Sequence, residues 1–95
     1  MARRRYLVAY DIRDDRRLRS VAGCMVAYGD RIQYSLFVCD LSDQELVLMR
    51  ADVEARIKSS EDSVMVVDLG QSGDTARFLF IGQHDELPHG GTTIV

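Results

Sequence analysis

Residues 6–15 read YLVAYDIRDD, an apolar run that passes into three acids. Residues 6–12 are almost all apolar and rich in β-branched and aromatic side chains, which predicts a central strand covered on at least one face. The strand runs into Asp11, and Asp14 and Asp15 follow within four residues. Arginines stand on both sides of these acids, at 3–5, 13 and 16–17. The first strand therefore ends in a carboxylate that lies close in sequence to several guanidinium groups.

The composition predicts one small globular domain. The chain has 95 residues, of which 46% are hydrophobic and 28% are charged. A chain of this size buries only about two thirds of its unfolded surface, so a partner subunit is expected to add burial. Cys24 and Cys39 have apolar neighbours and no disulfide or zinc spacing, which predicts buried thiols in a reducing compartment. The apolar residues 6–10 are too few for a signal peptide or a membrane span, so we expect a cytoplasmic protein without a membrane partner.

The charge is unevenly distributed along the chain. The formal net charge of −3 argues against a protein that coats nucleic acid generically. Residues 1–31, however, contain eight arginines and four aspartates, a net of +4, and the remainder has four basic and eleven acidic residues, a net of −7. Arginine forks bind phosphate oxygens in pairs. The amino-terminal part is either a phosphate-binding surface or a solvated face with a compositional bias towards arginine.

The first half of the chain predicts one helix and an extended segment. Asp14 or Asp15 can cap a helix, and Gly29 is placed to end it in the left-handed conformation. Residues 31–41 are extended in character, as one bent strand or two strands with a break near Ser35. The helix carries an apolar stripe with helical spacing, formed by Leu18, Val21, Ala22, Met25 and Val26.

The second half predicts a second helix and further strands. Ser42 and Glu45 form a capping box for a helix that runs to about Lys58. Its apolar face consists of Leu46, Met49, Val53 and Ile57. Residues 62–69 and 76–82 read as strands, and the tail ends in a β-prone pair. This order predicts an α+β fold, a ferredoxin-like βαββαβ domain over residues 1–95 with an extra C-terminal strand, whose bare sheet face a second copy covers in a homodimer.

Asp11 is the candidate ligand among the acids. A carboxylate at the end of a buried strand is costly unless it is solvated, hydrogen-bonded or bound to metal. It could simply accept backbone N–H groups from the following turn. Mg²⁺, however, prefers one or two carboxylates with several waters, and a twofold dimer would bring a second Asp11. Such an ion meets the needs of phosphodiester hydrolysis. Asp14 and Asp15 are better explained as helix-start residues.

The other polar and aromatic candidates leave alternatives open. Arg13, Arg16, Arg17 and Arg19 oppose the helix dipole, so they either bind a phosphate backbone or form salt bridges with Asp14, Asp15 and later acids. Tyr34 and Phe37 could stack on bases, although strand aromatics more often belong to a core. His84 and His89 have no ligand spacing and are expected to be loop residues.

Three segments together resemble the CRISPR-associated Cas2 family, the small dimeric partner of an integrase in spacer acquisition. They are YLVAYDIRDD at 6–15, YGDRIQYSLFVCDL at 28–41 and DSVMVVDLG at 62–70. The likeness spans Tyr6 to Gly70. The closing ELPHGGTTIV also looks like the family's C-terminal strand, which implies that a segment of about 83–95 pairs with the partner subunit or with the integrase.

The resemblance implies a ferredoxin-like homodimer with Mg²⁺, or Mn²⁺, between the two first-strand aspartates. Asp11 matches the metal-binding and catalytic position of a metal-dependent endonuclease acting on RNA or double-stranded DNA. The nucleic-acid-binding residues are then expected to be Arg13, Arg16, Arg17, Arg19, Arg31, Ser35 and Phe37. The family carries arginines in its first helix. In this sequence the arginines of that helix are residues 16, 17 and 19, with Leu18 between Arg17 and Arg19 and Ser20 directly after Arg19.

Three other functions remain as alternatives at this point. One is a non-catalytic DNA-binding scaffold that bridges integrase subunits, with Asp11 shaping the dimer. Another is a related ribonuclease toxin. The third is an RNA-recognition motif, which shares the fold plan but needs an aromatic-glycine signature on its third strand. The segment SLFVCDL at 35–41 does not supply that signature.

Overall fold

The computed structural model describes residues 2–71, 77–83 and 92–94. Its elements in chain order are β1 (Arg4–Asp11), α1 (Asp15–Met25), β2 (Asp30–Gln33), β3 (Leu36–Leu41), α2 (Asp43–Glu54), β4 (Ser63–Gln71), β5 (Arg77–Leu79) and β6 (Thr92–Ile94). The predicted break near Ser35 is confirmed, because β2 and β3 are separate strands joined by a short turn. His84 and His89 lie outside the described residues.

Strand β1 is an interior strand of a four-stranded antiparallel sheet with the order β2-β3-β1-β4. It pairs with β3, placing Val8 opposite Phe37, and with β4, placing Asp11 opposite Ser63. The two helices follow β1 and β3, so the element order and the sheet order are those of a ferredoxin-like domain. The predicted α+β fold is confirmed. The homodimer stays a prediction.

The main core lies between one face of the sheet and the two helices. Tyr6, Val8 and Tyr10 alternate along β1 and are all buried in this core. The other buried members come from α1, α2, β3 and the residue after β1, and they are Ile12, Val21, Cys24, Met25, Phe37, Cys39, Leu41, Met49 and Val53. Both cysteines are free and buried, as the sequence predicted. By the same alternation, Leu7, Ala9 and Asp11 belong to the opposite face of the sheet.

A second, smaller core lies on that opposite face. Ile32, Val38 and Phe80 are buried together there, with Leu7 and Leu36 packed partly buried against them. Strand β5 forms a separate two-stranded parallel sheet with β6 and does not extend the main sheet. The face expected to be bare is therefore covered in part by the chain's own segment after β4. The predicted pairing of residues 83–95 with a partner stays a prediction, since 84–91 lie outside the described residues.

The helix ends confirm most of the capping chemistry. Asp14 is the N-cap of α1 and accepts a hydrogen bond from the N–H of Arg17 at 2.9 Å. Both hydrogen bonds of the capping box between Ser42 and Glu45 are present at the start of α2. Val26 was wrongly placed on the apolar stripe, because α1 ends at Met25 and Val26 is 69% exposed.

Gly29 is required for a different reason from the predicted one. The described glycines with positive φ are Gly70 and Gly82, so Gly29 does not adopt the left-handed conformation. A β-carbon at position 29 would instead lie 2.9 Å from the Cα of Cys39 and closer still to the carbonyl oxygen of Val38. The chain after α1 thus approaches the backbone of β3 so closely that only glycine fits.

Replacing each of two glycines by alanine is expected to have opposite effects. Gly29→Ala forces a methyl group against β3 and should lower the free energy of unfolding by roughly 1–3 kcal/mol, the usual cost of overpacking. Gly23→Ala lies inside α1 with open space around the new methyl group. It should raise that free energy by about 0.5–1 kcal/mol, through helix propensity. Urea unfolding of both variants measures the two changes, and a neutral Gly29→Ala would contradict the close approach.

Candidate functional site

Asp11 ends β1 as an exposed carboxylate on the sheet face opposite the helices. No hydrogen bond or ion pair within the described part of the chain reaches its side chain. The turn N–H groups that it could have accepted are not directed to it, because the N–H of Arg13 donates to Asp62 at 3.0 Å. Asp11 is therefore held in place by its pairing with Ser63 of β4, while its oxygens stay available to a ligand.

Asp62 is the buried acid of the site, and nothing in the sequence pattern indicated it. Its side chain is 0% exposed. It accepts hydrogen bonds from the backbone N–H groups of Arg13 at 3.0 Å and Lys58 at 2.8 Å. It also accepts two from the Arg17 guanidinium, from Nε at 2.7 Å and from Nη2 at 3.1 Å. These donors, the Arg17 guanidinium above all, hold the pKa of Asp62 well below its usual range.

The Asp62–Arg17 pair fixes the surroundings of Asp11. Arg17 lies in the first turn of α1, and Asp62 directly precedes Ser63, which pairs with Asp11 across β1 and β4. Glu61 adds a second ion pair to Arg17 at 3.0 Å. The pair thus joins the start of α1 to the start of β4 on either side of the end of β1. For Arg17, the structure favours the salt-bridge alternative over a phosphate contact.

The eight amino-terminal arginines divide into two groups. Four form ion pairs, with Glu45, Asp68, Asp40 and Asp62 respectively: Arg3, Arg4, Arg5 and Arg17. Four are exposed and form no ion pair with any described residue: Arg13, Arg16, Arg19 and Arg31. All four exposed arginines belong to the set predicted to bind nucleic acid. The concentration of arginine near β1 is thus half structural and half available to a partner.

The turn between β2 and β3 lies beside the end of β1. The backbone N–H of Tyr10 donates to the carbonyl oxygen of Ser35 at 3.1 Å. Arg31 donates to the carbonyl oxygen of Tyr34 from Nε at 3.0 Å and from Nη2 at 2.7 Å. The structure therefore places the β2–β3 turn at the same end of the sheet as Asp11. Arg31 lies over the Phe37 ring on the helix side of the sheet, whereas Asp11 belongs to the opposite face.

Phe37 lies in the core, which is the commoner place for a strand aromatic, and not at the surface where the family resemblance implied a nucleic-acid contact. It is wholly buried in the main core, where its ring stacks with that of Tyr10 at a centroid distance of 6.2 Å. Its ring cannot stack on a base without opening that core. Phe37 therefore leaves the set of residues that can touch nucleic acid directly, and its membership in the core explains why an aromatic residue stands at this position.

The side chains of one chain can be tested against the needs of a metal ion. Within residues 2–71, 77–83 and 92–94, no group of three or more histidine, cysteine, aspartate or glutamate side chains could hold an ion. Asp11 is a hard oxygen donor of the kind that Mg²⁺ and Mn²⁺ prefer, and it is exposed and forms no ion pair with the described residues. The donor chemistry fits such an ion, and a second carboxylate would complete the pair of protein donors that Mg²⁺ commonly takes alongside waters.

Comparison with known families identifies the chain. The sequence profile described as CRISPR associated protein Cas2 matches residues 4–77. The chain belongs to the Cas2 family. A relative from Thermodesulfovibrio yellowstonii, named CRISPR-associated endoribonuclease Cas2 2, is 40% identical over 85 residues, which cover 90% of each chain. Another from Synechocystis, named CRISPR-associated endoribonuclease Cas2 3, is 40% identical over 70 residues, covering 74% of each chain.

Solved structures show the same fold. A hypothetical protein from Thermus thermophilus superposes with a TM-score of 0.76 at 28% identity, over 88% of this chain and 96% of its own. Cas2 of Streptococcus pyogenes, crystallised at pH 6.5, gives a TM-score of 0.65 at 34% identity, over 70% of this chain and 86% of its own. In the described residues, no helix is both long and apolar enough to cross a lipid bilayer.

The buried acid predicts a specific pH dependence. Because the pKa of Asp62 is lowered in the folded state, its stabilisation is present above the ordinary aspartate pKa of about 3.9 and is lost as the pH falls towards the folded value. Asp62→Asn should therefore lower the urea midpoint at pH 7, and the difference from the parent should shrink below about pH 4.

Asp15→Asn is the matched control, since Asp15 is an exposed carboxylate in the first turn of α1. Its urea midpoint should differ little from that of the parent at any pH. Equal midpoints for Asp62→Asn and the parent at pH 7 would contradict the structural role given to the Asp62–Arg17 pair.

Proposed function

We propose that this Cas2 chain is an endonuclease that hydrolyses phosphodiester bonds in RNA, as a homodimer with Asp11 of each subunit as the catalytic carboxylate. The observation that carries the proposal is the Asp11 side chain itself, an exposed carboxylate without a partner among the described residues, at the end of an interior strand. The names of several relatives, which describe them as endoribonucleases, favour RNA over DNA as the substrate.

The proposed metal is Mg²⁺, with Mn²⁺ as the alternative, held by Asp11 of both subunits. When bound, such an ion polarises a phosphoryl oxygen and lowers the pKa of its bound water. Without a cation, two carboxylates facing each other across a twofold axis would repel. The role of Asp11 is therefore to hold the cation and to complete the site only when two chains associate.

The exposed arginines would bind the phosphate backbone. Arg16 and Arg19 are three residues apart on α1 and lie on one face of that helix, and Arg13 precedes it. Arg31 lies on β2 and donates to the Tyr34 carbonyl in the β2–β3 turn. These four guanidinium groups form no ion pair with the described residues. No described carboxylate therefore neutralises them, and their charge is available to phosphate oxygens. They position the substrate without reading its sequence.

The sheet face that carries Asp11 supports a dimer around β1. Next to Asp11 this face presents Ala9 on β1 and Met65 on β4, which pair with each other, and Met65 is 58% exposed. Exposed apolar side chains beside a polar site favour an interface. A twofold axis near this position would set the same residue of each chain opposite its copy.

A second candidate function is a non-catalytic DNA-binding scaffold between integrase subunits. The observation that favours it is that one chain offers four exposed arginines without ion pairs, but no complete metal site, among its described residues. Phosphate binding needs only the arginines. In this function Asp11 would shape the dimer, and the segment of about 83–95 would dock onto the partner subunit or the integrase.

Asp11→Asn is expected to abolish Mg²⁺-dependent cleavage of a labelled RNA while leaving a folded dimer. Loss of the ion's contribution, several kcal/mol, should reduce the rate by about 100-fold or more. Gel analysis of cleavage measures the rate, light scattering measures the dimer, and Asp15→Asn serves as the control. If Asp11→Asn cleaves as fast as the parent, the catalytic proposal fails and the scaffold remains.

Binding of RNA is expected to weaken steeply with salt. Arg16→Ala and Arg19→Ala should each lower the affinity similarly for different sequences, and each should reduce the slope of log Kd against log salt by about 1 for every phosphate that the arginine neutralises. Arg50→Ala is the matched control, because Arg50 is exposed on α2 but paired with Glu54 at 3.5 Å. Anisotropy titrations between about 50 and 200 mM salt measure these slopes. If all three variants show equal slopes, the arginines of α1 do not contact the RNA backbone and the proposal for α1 is wrong.

A further inference from the structure

Tyr34 is an exposed aromatic side chain on a fixed backbone. It lies in the turn between β2 and β3, and 70% of it is exposed. Its carbonyl oxygen accepts three hydrogen bonds, from Nε of Arg31 at 3.0 Å, from Nη2 of Arg31 at 2.7 Å and from the Tyr10 hydroxyl at 3.4 Å. An aromatic ring carried by so well anchored a turn can bind a partner with little loss of conformational entropy.

The Arg31 guanidinium lies over the Tyr34 ring. Its Cζ atom is 5.2 Å from the centroid of that ring and 5.8 Å from the centroid of the buried Phe37 ring. These are cation–π distances. Arg31 forms no ion pair with the described residues, and both of its hydrogen bonds to Tyr34 use one carbonyl oxygen. The turn therefore presents an aromatic surface next to an unneutralised cation with donors to spare.

The turn and the end of β1 are neighbours. The N–H of Tyr10 donates to the Ser35 carbonyl at 3.1 Å. Asp11 is the next residue after Tyr10, and Tyr34 is the residue before Ser35, so both are adjacent in sequence to this hydrogen bond. A strand of RNA bound at Asp11 would reach the turn around this end of the sheet, since Asp11 and Arg31 belong to opposite faces. The arrangement suits a nucleotide whose phosphate meets Arg31 while its base reaches the aromatic ring.

We infer that the Tyr34 ring is a stacking platform for an unpaired base of the bound RNA, with Arg31 contacting an adjoining phosphate. This inference rests on the proposed function for the place of the substrate, but not for the stacking itself. Bases in a duplex are covered on both faces by their neighbours, whereas an unpaired base offers its face to an aromatic side chain. Tyr34 would then be the residue that selects unpaired RNA at this site and positions it.

Stacking can be measured without cleavage. The probe is a single-stranded RNA that contains 2-aminopurine, whose fluorescence falls on stacking, with EDTA present to prevent hydrolysis. Tyr34→Ala should weaken binding of this RNA by about tenfold or more and abolish the fluorescence change. Tyr34→Phe keeps the ring and should retain both. Binding of a duplex of the same sequence should be equal for the parent and both variants.

Leu48→Ala is the matched control, because Leu48 is 60% exposed on α2 and has no place in the proposed interface. Unchanged single-strand affinity and fluorescence for Tyr34→Ala would overturn the inference. So would equal losses for single strand and duplex, since that result would mean that removing the ring only disturbs Arg31.

The Asp11→Asn variant separates this inference from the proposed function. In EDTA it should bind the fluorescent RNA at least as tightly as the parent, because it removes a negative charge, and it should keep the fluorescence change. If it also cleaves RNA normally while Tyr34→Ala loses the stacking signal, the catalytic role of Asp11 fails and the platform stands. If Asp11→Asn is inactive but Tyr34→Ala binds normally, the nuclease stands and the platform fails.

Discussion

The buried carboxylate of Asp62 holds three separate segments of the chain together. A buried charge is tolerated only when its hydrogen bonds are satisfied, and here the donors come from three separated positions: Arg13, Arg17 and Lys58. The entry to α1, the chain after α2 and the start of β4 must therefore meet at one point. Ser63, the residue after Asp62, pairs with Asp11, so this buried acid also fixes the strand beside Asp11.

Local signals were predictable, and distant partnerships were not. The capping box at Ser42 and the break near Ser35 depend on neighbours in sequence, so the sequence alone was sufficient. The ion pair between Arg17 and Asp62 joins residues 45 positions apart, and the local sequence around neither residue predicts it. Gly29 shows the same limit, because the group that excludes a side chain there is the backbone of β3, which the local sequence around Gly29 does not reveal.

The candidate site was predictable to the same extent. Asp11 could be singled out because a carboxylate directly after a buried strand is costly without a ligand or solvent. The sequence shows how many arginines lie near Asp11, but it does not show which of them form ion pairs. Acids elsewhere in the chain decide that, and their positions depend on the fold. Burial then separated two aromatic residues of one hairpin: Phe37 fills the core, while Tyr34, three residues earlier, lies exposed.

Phe80 limits the access of other molecules to the covered face of the sheet. It is buried against Ile32 and Val38 and is joined to β4 by the intervening residues 72–79. A tethered group of this kind acts as an intramolecular ligand at a high effective concentration, commonly in the millimolar range. Any molecule that would occupy the surface of Ile32 and Val38 must first displace it. On this face of the sheet, Met65, which is 58% exposed, and the end of β1 lie outside that contact.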